Sequence, residues 1–194
     1  MNIGIFLFDG CEELDFAGPW EVLSYWAQLW PDDGLDVFTL ARTTEPVTCA
    51  KGLRVIPDHA WDSAPPIDVL VYPGGIGTRR ELKDDDMLSW VRKTADRGTL
   101  MTSVCTGSLV YAAAGLLDGR PATTYWNALE LLGSLGNAIQ VKTQERYVDD
   151  GNVVTAAGVS AGIDMALHLV ARLHSRERAV EVRRGIQYDP KPPV

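Results

Sequence analysis

A chain of 194 residues, 46% apolar and 23% charged, has a globular composition and can bury one sizeable core. Its formal charge of -8 at pH 7 repels phosphate backbones, which argues against a nucleic-acid partner. No apolar run approaches the roughly 18 residues that a membrane span needs, so no membrane partner is expected either.

The first element is the continuous apolar run Ile3 to Phe8, stopped by Asp9-Gly10. It has no basic residues before it and is interrupted too early for a signal peptide. It reads instead as a strand buried on both faces, and a cytoplasmic location is expected. A helix follows over about 16–29, in which Pro19 is tolerable only within the first turn. Residues 35–41 alternate weakly as a second strand, and Val47-Thr48 with Leu53 to Ile56 suggest a small hairpin around Ala50-Lys51-Gly52. Val69 to Tyr72 is a third buried strand, ended by Pro73-Gly74-Gly75.

The spacing of Met87, Trp90, Val91 and Ala95 predicts a helix over 84–97 with Gly98 as its stop. A strand over 99–104 then runs directly into Cys105, and a helix rich in small residues occupies 106–114. Residues 152–155 read as a strand and 160–173 as a helix with Ile163, Ala166, Leu167, Val170 and Leu173 on one stripe. A last helix over 175–186 precedes a proline-rich tail. This alternation predicts a single α/β domain over 1–194, with a doubly wound and largely parallel sheet. In such sheets ligands bind at the carboxyl ends of the strands, which directs attention to three loops: 9–15, 73–78 and 105–108.

Cys105 is the sharpest chemical feature. At the mouth of a helix its thiolate would feel the positive end of the helix dipole and free N–H groups, both of which lower a thiol pKa. A buried structural cysteine is the ordinary alternative, but the position at a strand's carboxyl end favours a nucleophile. Gly74-Gly75 could let backbone N–H groups face an oxyanion, or could simply form a tight turn. Gly75-Ile76-Gly77 does not complete a dinucleotide fingerprint, because Arg80 occupies the third glycine's place, and no cofactor is expected.

Asp15 lies between Leu14 and Phe16 at the entry to an apolar helix. It reads either as a helix N-cap or as a buried carboxyl able to hold a proton beside Cys105. The remaining cysteines, Cys11 and Cys49, offer no C-x-x-C pair, and His59, His168 and His174 form no ligand cluster, so neither a disulfide framework nor a metal is expected. His59 falls in a loop before Trp61, and no histidine sits in a recognisable triad with Cys105. Trp126, in Thr123-Thr124-Tyr125-Trp126, is a candidate for lining the site.

Four motifs in this order resemble the ThiJ/PfpI superfamily of glutamine amidotransferase-like proteins: Glu13 to Pro19, Pro73-Gly74-Gly75, Ser103 to Ser108, and Ala161 to Asp164. The stretch from Thr102 through Leu117 and on to Trp126 is most similar to the isocyanide (isonitrile) hydratase branch. The resemblance implies a flavodoxin-like homodimer with a cysteine on a nucleophile elbow, no cofactor and a small-molecule substrate. By position, Cys105 is the nucleophile and Asp15 its acidic partner. Thr106 follows the nucleophile, and its N–H with that of Gly75 would supply oxyanion-type donors. Tyr125 stands where relatives commonly carry histidine, so the resemblance supplies no imidazole base there. The implied reaction is hydration of an isocyanide to an N-substituted formamide. The alternatives are a glyoxalase, deglycase or amidase-like enzyme of the same superfamily, or a ligand- or redox-sensing domain.

Overall fold

The run at the start of the chain forms β1 (Asn2–Phe6), with residues 3–6 buried on both faces as a continuous apolar strand requires. In the computed structural model, which describes residues 1–191, the chain continues through α1 (Glu13–Leu29), β2 (Asp36–Ala41), β3 (Val47–Thr48), β4 (Arg54–Val55), β5 (His59–Ala60) and β6 (Val69–Tyr72). It then passes through α2 (Thr78–Glu81), α3 (Asp85–Asp96), β7 (Leu100–Val104), α4 (Gly107–Ala113), β8 (Pro121–Ala122), α5 (Leu129–Leu135) and β9 (Gln140–Val141). The last elements are β10 (Tyr147–Asp149), β11 (Val153–Ala156), α6 (Ala161–Leu173) and α7 (Arg176–Gly185). The end of the proline-rich tail, 192–194, lies outside the described residues.

Seven strands form one sheet in the order β10-β11-β7-β6-β1-β2-β5. All pairings are parallel except that of β10 with β11. β6, β7 and β11 repeat the two-sided burial of β1. Helices α1, α6 and α7 pack on one another, and α4 packs with α2, α3 and α5, which gives the helix–sheet–helix layering of a flavodoxin-like fold. Chain direction across the sheet reverses between β1, which leads to β2 on one side, and β6 on the other. The crevice at the carboxyl ends of these central strands is the expected ligand position for such topology.

The expected elements are present, with differences that have local causes. The helix after β1 begins at Glu13 rather than about residue 16, so Pro19 is in its second turn and Asp15 is inside the helix. Pro19 lacks the N–H that would bond the Asp15 carbonyl. The helix survives because this stretch packs tightly on α6: a Cβ on Gly18 would come 2.9 Å from Ile163, and one on Gly162 would come 3.3 Å from Pro19. Asp15 is therefore not an N-cap; the capping position is Glu12, whose side chain caps nothing. Asp84 does cap α3, accepting the Met87 N–H at 3.0 Å.

On α6 the fully buried face is Met165, Ala166, Leu169 and Val170, with Ile163, Leu167 and Leu173 only partly covered. The rotation follows from α6 packing simultaneously on the sheet, α1 and α7. His59, expected in a loop, lies on the edge strand β5 with its ring 5.1 Å from Phe38.

Candidate active site

Three loops meet above the central strands. The loop after β1 joins the loop after β6 through Glu12 N–H to Gly74 O at 2.9 Å and a bridge between Cys11 and Gly75. Gly75 has φ +123, and a Cβ there would come 2.3 Å from the Gly10 carbonyl, so only glycine allows this approach. The third loop starts at Cys105, whose φ of +57 turns the chain sharply from β7 into α4. A non-glycine residue in this left-handed conformation is strained and persists only where surrounding contacts impose it. Here the Cys105 N–H donates to Ala157 O at 2.9 Å, and its carbonyl accepts from Thr124 Oγ1 at 2.8 Å and Ser108 Oγ at 3.2 Å.

Asp15 is completely buried next to this elbow. Its Oδ2 accepts the Gly74 N–H at 2.8 Å, while Oδ1 has no hydrogen-bond partner among the described residues. Burial pushes the carboxyl up to about 7, offset in part by the Gly74 N–H. Burial also pushes the Cys105 thiol up to about 12, and the neighbouring Asp15 charge adds to the rise. The backbone N–H groups of Thr106 and Val159 act in the opposite direction but do not prevail. The helix-mouth lowering expected from sequence is thus overturned by desolvation and by a carboxylate at the same spot. Thiol and carboxyl therefore titrate as a coupled pair, the carboxyl losing its proton before the thiol.

The cavity over Cys105 has a volume of about 340 Å³, and Thr106, Gly75, Tyr125 and Val159 contribute to its walls. Among the expected donors, the Gly75 N–H is engaged by Thr106 Oγ1 at 2.9 Å, whereas the N–H groups of Thr106 and Val159 act on the thiol. Val159, at φ +46, belongs to the loop after β11, a fourth carboxyl-end loop outside the three singled out in the sequence. Tyr125 rests on Gly158, where a Cβ would come 2.4 Å from its ring. Trp126 neighbours Tyr125 with ring centroids 5.6 Å apart, but it is 72% exposed and does not line the cavity.

The histidines are elsewhere: His168 meets Asp149 at 2.7 Å and His174 meets Asp33 at 3.4 Å. Cys11 and Cys49, distant in sequence, lie together in the core as free thiols with Sγ atoms 3.7 Å apart. Among the described residues there is no cluster of three or more His, Cys, Asp or Glu able to hold a metal, and no helix is long and apolar enough to cross a membrane.

Gly74 shows how little room this arrangement leaves. A Cβ there would lie 2.4 Å from the Thr106 nitrogen and 2.9 Å from Asp15 Oδ2. Gly74→Ala should cost about 1–3 kcal/mol of stability, as overpacking does, and should displace Asp15 from Cys105. Urea unfolding and Cys105 alkylation rates test this; wild-type values for both would show that the contact yields without consequence.

This chain and its fold have relatives. The DJ-1/PfpI family model matches residues 1–172. Isonitrile hydratase from Pseudomonas putida is 42% identical over 193 residues, covering all of this chain and 81% of that protein. The HTH-type transcriptional regulator GbdR from Pseudomonas aeruginosa is 30% identical over 97% of this chain, which spans about half of the regulator's length. The crystal structure of a ThiJ/PfpI family protein from Pseudomonas syringae superposes with a TM-score of 0.89 at 33% identity, covering 100% of this chain and 77% of that one. The matched model, the relatives and the superposed fold agree: the chain belongs to the DJ-1/PfpI family.

Proposed function

We propose that this protein is an isocyanide hydratase, converting an isocyanide and water to an N-substituted formamide through a covalent intermediate on Cys105. The observation that carries this reading is the pairing of a buried thiol with a buried carboxyl whose pKa is pushed up to about 7. The terminal carbon of R–N≡C must receive both a nucleophile and a proton, so the two groups have to converge on one atom. A buried thiol and a buried carboxyl in one crevice meet that requirement without an imidazole. The 42% identity to the Pseudomonas putida hydratase supports the same choice.

In this mechanism the Cys105 sulfur bonds to the isocyanide carbon while Asp15 delivers a proton to that carbon, giving the thioimidate R–N=CH–S–Cys105. Water then adds across the C=N bond, its oxygen to carbon and a proton to nitrogen, with Asp15 relaying protons. The carbon–sulfur bond breaks as the formamide R–NH–CHO leaves, and the thiol is regenerated. The backbone N–H groups of Thr106 and Val159 favour the anionic form of the sulfur. Thr106 Oγ1 holds the Gly75 turn in place. Tyr125 forms a wall for the substrate.

The reading further takes the chain to be a single-domain, cofactor-independent cytoplasmic homodimer with no nucleic-acid partner; gel filtration across a concentration series tests the dimer. The match to a regulator over nearly the whole chain supports a second reading, a ligand-sensing domain centred on Cys105. Product analysis with an aryl isocyanide, methylglyoxal and simple amides separates the possibilities. Formamide from the isocyanide alone is the expected result. Turnover of methylglyoxal or amides in its place would move the assignment to another enzyme of the family, and saturable binding without turnover of any of them to a sensor.

A further inference from the structure

The cationic residues Lys51 and Arg79, both exposed, line the Cys105 cavity, as does the acidic residue Glu12. The two cations are not equivalent. Lys51 Nζ is paired with Glu12 and also meets Glu13 Oε2 at 3.5 Å, so its charge is already compensated. Arg79 has no carboxylate within ion-pair distance among the described residues, although acidic residues outnumber basic ones by 26 to 18. Its neighbour Arg80, by contrast, is committed to Glu81 at 3.2 Å.

The polar side-chain contact of Arg79 is a donation from an η nitrogen to Thr78 Oγ1 at 3.3 Å. Thr78 Oγ1 is in turn 3.2 Å from Thr106 Oγ1, which places the guanidinium one hydroxyl away from the residue that follows Cys105. Most of its five N–H donors are uncommitted, and their planar fork matches a carboxylate in bidentate fashion. Asn127 also lines this cavity, and the exposed Ile76 and the Tyr125 ring supply apolar wall on the way in.

We infer that Arg79 makes this a site for isocyanides bearing a carboxylate: the isocyanide carbon at Cys105, an apolar spacer along Tyr125 and Ile76, and the anion on the guanidinium. This rests on the proposed hydratase reading for the reacting group, but not for the anion. Because the protein as a whole carries -8, attraction of an anion has to be local to this cavity and depends on Arg79, which has no carboxylate partner among the described residues.

The first test compares kcat/KM for para-isocyanobenzoate with that for the equally shaped para-isocyanobenzamide. The carboxylate should be preferred by about tenfold, or ~1.4 kcal/mol. Arg79→Gln should bring the ratio to about one, and Arg79→Lys should recover part of it. The second test needs no hydratase activity. It measures Cys105 alkylation by iodoacetate against iodoacetamide, read by mass on the Cys105 peptide. In both reactions a sulfur–carbon bond forms as carbon–iodine breaks, iodide leaves with the electron pair, and the thiol proton passes to Asp15 or water.

The iodoacetate-to-iodoacetamide rate ratio should fall by about tenfold in Arg79→Gln. If that fall is seen while neither isocyanide turns over, the anion site stands and the hydratase reading fails. If the alkylation ratio is the same in wild type and Arg79→Gln, or if the benzamide is turned over as well as the benzoate, the anion site is overturned.

Discussion

Cys105→Ala should lower isocyanide turnover by roughly 10⁴-fold or more, because the substitution removes the only atom that can form the thioimidate. The fold should persist: alanine fits the elbow with no added volume, and the contacts that hold it, Ala157 O, Thr124 Oγ1 and Ser108 Oγ, are made by the backbone of residue 105. Circular dichroism and urea unfolding verify that condition before the kinetics are read. Retained hydration in folded Cys105→Ala would exclude covalent catalysis by this residue. The other two cysteines cannot substitute for it, since neither lines the cavity and both lie in the core with each other's sulfur as partner.

Asp15→Asn should slow turnover by about 10²–10⁴-fold, the usual contribution of a positioned acid–base group. Asparagine can still accept the Gly74 N–H through its carbonyl oxygen, so the loop should be preserved. The pH dependence carries more information than the rate. In wild type the active pair has lost one of its two protons, so kcat/KM should rise with pH and level off above about 7, the value to which burial pushes Asp15. That limb should vanish in Asp15→Asn.

Stability should respond with the opposite sign. Asp15 titrates near 3.8 when unfolded and near 7 when folded, so between these values the folded chain binds more protons. Folding stability attributable to this group is intact below pH 4 and is lost as pH rises toward 7. Relative to wild type, Asp15→Asn should therefore gain about 2–4 kcal/mol between pH 4 and pH 8, measured as a changing difference in urea midpoints. A difference independent of pH would mean that Asp15 is ionised throughout and cannot serve as the acid.

These two residues were visible in the sequence for different reasons. Cys105 directly follows a strand, and a carboxyl-end position in a parallel sheet is informative by itself. Buried apolar runs revealed β1 and β6, and β7 and β11 were legible as strands between helices, which together mark the sheet's centre. Asp15 was ambiguous between cap and proton holder, because the start of a helix cannot be fixed to within a turn by periodicity. The structure excludes the cap by starting α1 at Glu13, and it buries the carboxyl.

Other features leave little trace in a sequence. β8, β9 and β10 have two or three residues each, too few for a period to register, and the segment between α4 and β11 gave no element in advance. Val159 acts through a backbone N–H that any residue would supply, so only its place in a loop after a strand could have pointed to it. The Cys11–Cys49 contact joins a loop to the β3–β4 hairpin across 38 residues, and no local pattern encodes it. The thiol's upward shift was missed because desolvation and a carboxylate brought from another loop are tertiary facts. The helix-mouth position conveyed only the opposing effect.

The most direct test is a single turnover of wild-type protein with an aryl isocyanide, followed by intact mass and by the mass of the Cys105 peptide. Addition without a leaving group predicts a transient increase equal to the whole mass of the isocyanide, confined to Cys105. That increase should decay at the rate at which the formamide appears. Formamide formed at full rate with no such adduct at any time, or an isocyanide left unconsumed by the folded protein, would contradict covalent hydration at this site.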